Sequence, residues 1–299
     1  MSATTEPQTP QDKTVEGMTP FTCMMTASMR GTEFKRKDAI CHDPFAEALA
    51  GEAGRELAEF VGTMMRRENQ LRDYVVFRTR TIDDRLASLD PAIKQIVILG
   101  AGLDTRAYRL KALGDRRVIE VDGSHEMLHH KQRILSEIKA PVLAKEHHVV
   151  VANLAEEAWK AELINNGFNP NERTFWLLEG LMMYIEYEGN VGLVKAIDSL
   201  SAPGSVIWAD IFGPDVVTKE PVKQEKGEGI WRTRATKYGE VNPLEGVLSL
   251  IKWDLRITGD FTDPAVHFGR EWIPISHARD GKETPLPMFF LEATKPVSP

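Results

Sequence analysis

Three short stretches of this sequence carry residues able to bind a ligand or move a bond. The first is Ile96-Val97-Ile98-Leu99-Gly100-Ala101-Gly102-Leu103-Asp104-Thr105, an apolar run that breaks at two glycines and resumes as a helix start. Glycines at such a turn let the backbone approach a ligand closely, and free N–H groups at a helix N-terminus face it. A dinucleotide fingerprint, G-x-G-x-x-G, would need a third glycine where this chain has Thr105. That favours a ligand without a pyrophosphate. The second stretch is Val118-Ile119-Glu120-Val121-Asp122, whose closing acid stands where nucleotide folds hold ribose hydroxyls.

The third stretch is His125-Glu126-Met127-Leu128-His129, a formal H-E-x-x-H. On a helix, His125 and His129 share a face and could hold zinc, with Glu126 as general base. His130-Lys131-Gln132-Arg133 follows, so the longer zinc motif is absent. A third ligand would have to come from elsewhere, for instance Glu146 or His147. The plainer reading is a polar helix face. There is no G-x-S-x-G elbow and no Walker loop.

These stretches need elements to position them. Short apolar runs at Gln95–Leu99, Arg117–Val121, His148–Val151, Thr174–Leu178 and Ser205–Ile211 alternate with helical spacing at Leu103–Leu113, Ser124–Ile138, Ala155–Asn165 and Val194–Leu200. That alternation predicts a mostly parallel sheet with helices on both faces, an α/β Rossmann-like fold. Trp253–Thr258 and Met288–Ala293 are two further strand candidates either side of a polar loop, seven strands in all. Before the first strand, apolar residues recur with helical spacing from Phe21 to Met29, Phe45 to Leu49, Leu57 to Met65 and Tyr74 to Leu89. The organisation expected is a disordered tail over 1–14, a helical cap over 15–92, and a core over 93–299. Within that core, an insert at about 212–252 reads as a lid, with Lys219 to Gly229 strongly charged.

Composition limits the function classes. The 299 residues carry a formal net charge of -7, which argues against nucleic acid as a partner. Two cysteines, Cys23 and Cys41, form no disulfide framework. No apolar run approaches the roughly 20 residues of a membrane span. The expectation is a cytoplasmic protein with no membrane partner, and an oligomeric state that the sequence does not indicate.

Taken together and in order, the motifs resemble the leucine carboxyl methyltransferase family, which includes polyketide O-methyltransferases, over about 22–294. The resemblance rests on His42-Asp43-Pro44-Phe45, Arg78-Thr79-Arg80-Thr81-Ile82-Asp83-Asp84, Leu99 to Arg106, Glu120-Val121-Asp122 and Leu178-Glu179-Gly180-Leu181-Met182-Met183-Tyr184. It implies a class I methyltransferase fold and S-adenosyl-L-methionine as cofactor, with no metal. It also implies roles. Arg78 would hold the methionine carboxylate. Gly100, Ala101 and Gly102 would lie along the cofactor, and Asp122 would take the ribose hydroxyls. Glu179 would face the amino group or sulfonium. Tyr184 and Arg80 would orient the acceptor.

Two positions depart from the family pattern. Asn153-Leu154 stands where Asp-Leu is usual beside the adenine, although the Asn oxygen can still accept from the adenine amine. Gly123-Ser124 stands where relatives often carry a proline. The resulting expectation is O-methylation of a small-molecule carboxylate or hydroxyl. The alternatives are a protein C-terminal carboxyl methyltransferase, a zinc hydrolase using His125, Glu126 and His129, and a catalytically silent cofactor binder.

Overall fold

The computed structural model describes residues 18–64, 69–217, 236–279 and 282–297. The expected tail over 1–14 and the charged stretch Lys219 to Gly229 lie outside the described residues.

Three helices come first: α1 (Met18–Phe34), α2 (Ala46–Met64) and α3 (Gln70–Ala87). The apolar patches expected around 45–49 and 57–65 join, over Ala46–Met64, in one run, α2, broken at Gly51, whose φ of 60° only glycine adopts easily; Met65 lies outside the described residues. Strands β1 (Gln95–Leu99), β2 (Arg117–Asp122), β3 (Glu146–Val151), β4 (Thr174–Leu178) and β5 (Val206–Phe212) then alternate with α4 (Arg106–Arg109), α5 (His125–Glu137), α6 (Trp159–Asn165) and α7 (Tyr187–Leu200). The chain closes with β6 (Asp254–Asp260), a small hairpin of β7 (Ser276–Arg279) and β8 (Lys282–Pro285), and β9 (Met288–Thr294).

Seven strands form one sheet in the order β3-β2-β1-β4-β5-β9-β6. All neighbouring pairs from β3 to β5 are parallel, and β9 runs antiparallel to both β5 and β6. This is the Rossmann-like class I methyltransferase fold. Every residue of β1, β4 and β5 is buried, as strands covered on both faces must be. Alternate side chains feed two cores. Ile96, Ile98, Phe175, Leu177 and Trp208 pack with α1–α3 and α5 on one face. Val97, Leu99, Trp176, Leu178 and Ile207 pack with α6 and α7 on the other.

Other expectations needed adjustment; the helices expected from Ala155 and Val194 begin at Trp159 and Tyr187. The helix expected over Leu103–Leu113 is only α4 and a 3-10 turn at Lys111–Leu113, because Leu110 is extended. β3 begins at Glu146 rather than His148. It is an edge strand, where polar residues are tolerated. The polar loop before β9 contains the β7–β8 hairpin.

Candidate active site

Parallel sheets of this kind bind ligands outside the carboxyl ends of their strands, at the point where strand order reverses. Here that point lies between β1 and β4. A cavity of about 210 Å³ opens there, roofed by residues of α1 and α3.

The turn after β1 forms one wall. Gly100 and Gly102 have φ of 68° and 44°, and a Cβ at either would lie within 2.8 Å of Leu181 Cδ1 or 2.7 Å of Cys23 Sγ respectively. The backbone N–H groups of Gly100 and Ala101 donate to the Val121 carbonyl at 2.8 and 3.1 Å, which ties the turn to the end of β2. Asp122 ends β2 facing the same cavity. Its Oδ2 accepts the Gly102 N–H and its Oδ1 the Ser124 N–H, both at 2.8 Å. A carboxylate accepts about four hydrogen bonds, so capacity remains for a vicinal diol.

The opposite wall is a buried charge network. Arg78, from α3, donates through Nε to Glu179 Oε1 at 2.9 Å, and through Nη1 to Asp210 Oδ2 at 2.8 Å and the Tyr74 hydroxyl at 3.2 Å. Glu179 Oε2 accepts from Arg106 Nη1 at 2.7 Å. Asp210 Oδ1 accepts the Gly180 N–H at 2.6 Å, which sets the turn after β4. Burial alone would raise the Glu179 pKa, yet Arg106 and Arg78 outweigh it and hold the carboxyl below its ordinary value. Burial pushes the Tyr184 hydroxyl above the phenol range, so it stays a proton donor. Burial and the Asp122 charge push the Cys23 thiol up to about 12, so it is no competing nucleophile at neutral pH.

Arg78, Gly100, Ala101, Gly102, Asp122, Glu179 and Tyr184 therefore all line one cavity. Arg80, Asn153 and Leu154 do not. Two residues along a helix is a turn of about 200°, so Arg80 leaves α3 on the far side from Arg78. It pairs with Asp84 at 2.8 Å, donates to the Ile40 carbonyl at 3.1 Å and lies over the Phe268 ring. Asn153 is exposed, with Oδ1 accepting the Ala155 N–H at 3.0 Å. It sits beside Asp122 in the chain's path, since the Ala152 N–H bonds the Asp122 carbonyl at 3.0 Å. Leu154 packs against the second core.

His125, Glu126 and His129 are exposed on α5, and the two rings stack at 6.2 Å. Among the described residues, no group of three or more His, Cys, Asp or Glu could hold a metal ion. Sequence reasoning missed Asp210 and Tyr74. The available signal was Asp210 itself, the lone acid in the apolar strand Val206–Phe212. It also assigned no role to Arg106, although that residue closes the Leu99 to Arg106 motif.

Known proteins bear on this geometry. The family model for leucine carboxyl methyltransferase matches residues 23–198, more than half of the chain. Two relatives carry the name "Putative S-adenosyl-L-methionine-dependent methyltransferase". One, from Frankia alni, is 39% identical over 189 residues, covering 62% of this chain and 66% of its own. The other, from Mycobacterium sp. strain JLS, is 30% identical over 267 residues, covering 83% and 87%. Alignments to the first three relatives span only 60% to 66% of those proteins. A solved "putative methyltransferase" from Thermobifida fusca shares the fold with a TM-score of 0.54 at 17% identity, covering 91% of this chain and 94% of its own. Among the described residues, no helix is long and apolar enough to cross a membrane. By the extent of the family match, the chain belongs to the leucine carboxyl methyltransferase family.

Proposed function

We propose that the protein is an S-adenosyl-L-methionine-dependent methyltransferase that methylates an oxygen of a small organic acceptor, a carboxylate or an acidic hydroxyl. The observation that carries the reading is the convergence of Asp122, the Gly100–Gly102 turn and Glu179 on one cavity. Their chemistry fits the cofactor. The glycine turn packs closely against Leu181 and Cys23 at the cavity, a half-satisfied carboxylate suits a diol, and paired buried charges, Arg78 with an ionised Glu179, suit a zwitterionic amino-acid group.

When bound, the cofactor supplies an electrophilic methyl group on a sulfonium. The rest is work for the chain. Asp122 takes the ribose hydroxyls. Arg78 and Glu179 hold the carboxylate and amino group of the methionine moiety. Asn153 and Leu154, outside the cavity lining but next in the chain to the Ala152 that bonds the Asp122 carbonyl, would meet the adenine only where the cofactor extends past Asp122. Tyr184 donates a hydrogen bond that orients the acceptor. The helices over the cleft exclude water and align the reactants, which contributes up to roughly 7–11 kcal/mol when alignment is ideal. No histidine is among the described cavity residues. That supports an acceptor oxygen already anionic at neutral pH, which needs no general base.

Calorimetric titration with S-adenosylmethionine, its demethylated product and NAD tests the cofactor, and methyl-labelled cofactor with candidate carboxylates and phenols tests transfer. Saturable binding of the two sulfur nucleotides but not NAD is the expected result. Folded protein that binds neither removes the reading.

A further inference from the structure

The helix that carries the histidine pair makes its contribution from its other face. Lys131 of α5 is fully buried, with 0% of its side chain exposed, and so is Glu120 of β2. Burying an ammonium is costly unless it is paired and hydrogen-bonded. Lys131 Nζ lies 2.7 Å from Glu120 Oε2 and donates to the Asp104 carbonyl at 2.9 Å. The other carboxylate oxygen, Glu120 Oε1, faces His147 Nε2 at 3.3 Å. His147 in turn meets the Tyr108 ring edge-on.

The Asp104 carbonyl belongs to the turn that walls the cleft. That turn is held from β2 by the Asp122 carboxylate on the Gly102 N–H. Lys131 holds its far end. The Asp104 carboxylate pairs with Arg106, and Arg106 reaches Glu179 at 2.7 Å. An ammonium on a carbonyl oxygen fixes the plane of that whole peptide, because the peptide bond is rigid. Lys131 and Glu120 themselves touch no cleft space.

We infer that Lys131 is a positioning residue. Anchored by Glu120, it sets the orientation of the Asp104 peptide and hence the shape of the cofactor turn from Gly100 to Arg106. This rests on the cofactor reading above only for its effect on affinity; its effect on the turn is independent of any ligand.

The test compares full-length wild type, Lys131→Met and the double variant Lys131→Met/Glu120→Leu. Three quantities are measured: stability to urea, amide hydrogen exchange without ligand, and titration with S-adenosylmethionine. The single variant leaves Glu120 buried and unpaired, so it loses both stability and affinity. The double variant removes the whole ion pair and regains stability. The Asp104 carbonyl nevertheless stays unheld. The expected result is exchange about ten- to a hundredfold faster at Gly100–Arg106 than in wild type, with α7 amides unchanged, and a cofactor Kd raised by a similar factor. A double variant with wild-type exchange in the turn overturns the inference, as does faster exchange spread equally through α7 and the sheet. Lys131 would then be merely the counter-ion of Glu120. If wild type binds no sulfur nucleotide, the functional reading fails while the exchange comparison still decides the role of Lys131.

Discussion

Two arginines each bridge two carboxylates, at opposite ends of the parallel strands of one sheet. At the carboxyl ends of the strands, Arg78 joins Glu179 and Asp210, with side-chain exposures of 11%, 15% and 2%. At the amino ends, Arg117 joins Glu146 and Glu172, with exposures of 22%, 39% and 38%. The bond lengths are similar, 2.8–2.9 Å against 2.7–3.1 Å. Water access differs, and that decides what each arrangement is worth. An exposed pair contributes about 0–1 kcal/mol, since solvent screens it and two long side chains lose freedom. Removing one member of a buried pair costs about 3–5 kcal/mol, because the partner charge is stranded. The same chemistry therefore yields a buried cavity wall at one end and an ordinary solvated surface at the other.

The sharpest way to break this comparison is Arg78→Met. It should lower unfolding free energy by about 3–5 kcal/mol, read by chemical denaturation, and abolish cofactor binding. A loss under about 1 kcal/mol would erase the distinction between the two ends. Asp122→Ala should spare most of the stability but raise the Kd for S-adenosylmethionine about ten- to a hundredfold, from lost hydrogen bonds to a charged acceptor. Unchanged affinity by calorimetry would remove Asp122 from the ribose site.

Acid should act on the cleft end. Burial alone would raise the carboxyls of Glu179, Asp104 and Asp43. The charges of Arg106 and Arg78, of Arg106 and Lys131, and of Arg30 and Arg109, respectively, outweigh it and hold all three below their ordinary values. The folded state then binds fewer protons than the unfolded one. The stabilisation is complete above the ordinary values of 4.5 for Glu and 3.8 for Asp and is lost as pH falls below them. Urea midpoints measured from pH 6 down to pH 3 should decline on the acid side; a flat profile would mean that the network contributes nothing.

The smallest effects belong outside the cleft. Arg80→Met should cost about 1 kcal/mol, from an exposed i,i+4 pair and a part-buried hydrogen bond to the Ile40 carbonyl, with kcat intact. A large fall in kcat would return Arg80 to the acceptor. Arg117→Met should cost under about 1 kcal/mol, shrink further in high salt, and leave cofactor affinity at the wild-type value.

Much of the cleft was legible before folding. The glycine turn, Asp122 and Glu179 each end an apolar run, and parallel strands put such ends on one side of the sheet. Arg80 was misplaced because a motif records order, not the 100° that each helical residue turns. Leu103, Ala107, Leu110 and Leu113 have helical spacing, yet Leu110 is extended and splits the segment. Spacing shows which positions seek a core, and not whether the intervening backbone stays helical. The H-E-x-x-H pattern was present in type and period, but the fold supplies no third ligand to it among the described residues.

By itself the sequence determined the strand–helix alternation, the cleft-forming turn and the acid that ends β2 beside it, because burial period and backbone permissiveness are local properties. Tertiary structure alone decided the antiparallel insertion of β9 between β5 and β6, since no residue within β9 encodes its partner's direction. It alone brought Asp210 onto Arg78, Arg106 onto Glu179, and Lys131 onto the back of the glycine turn. Their charges are intelligible only once the partners, 132 positions away for Arg78 and Asp210 and 27 for Lys131 and Asp104, share a space without water.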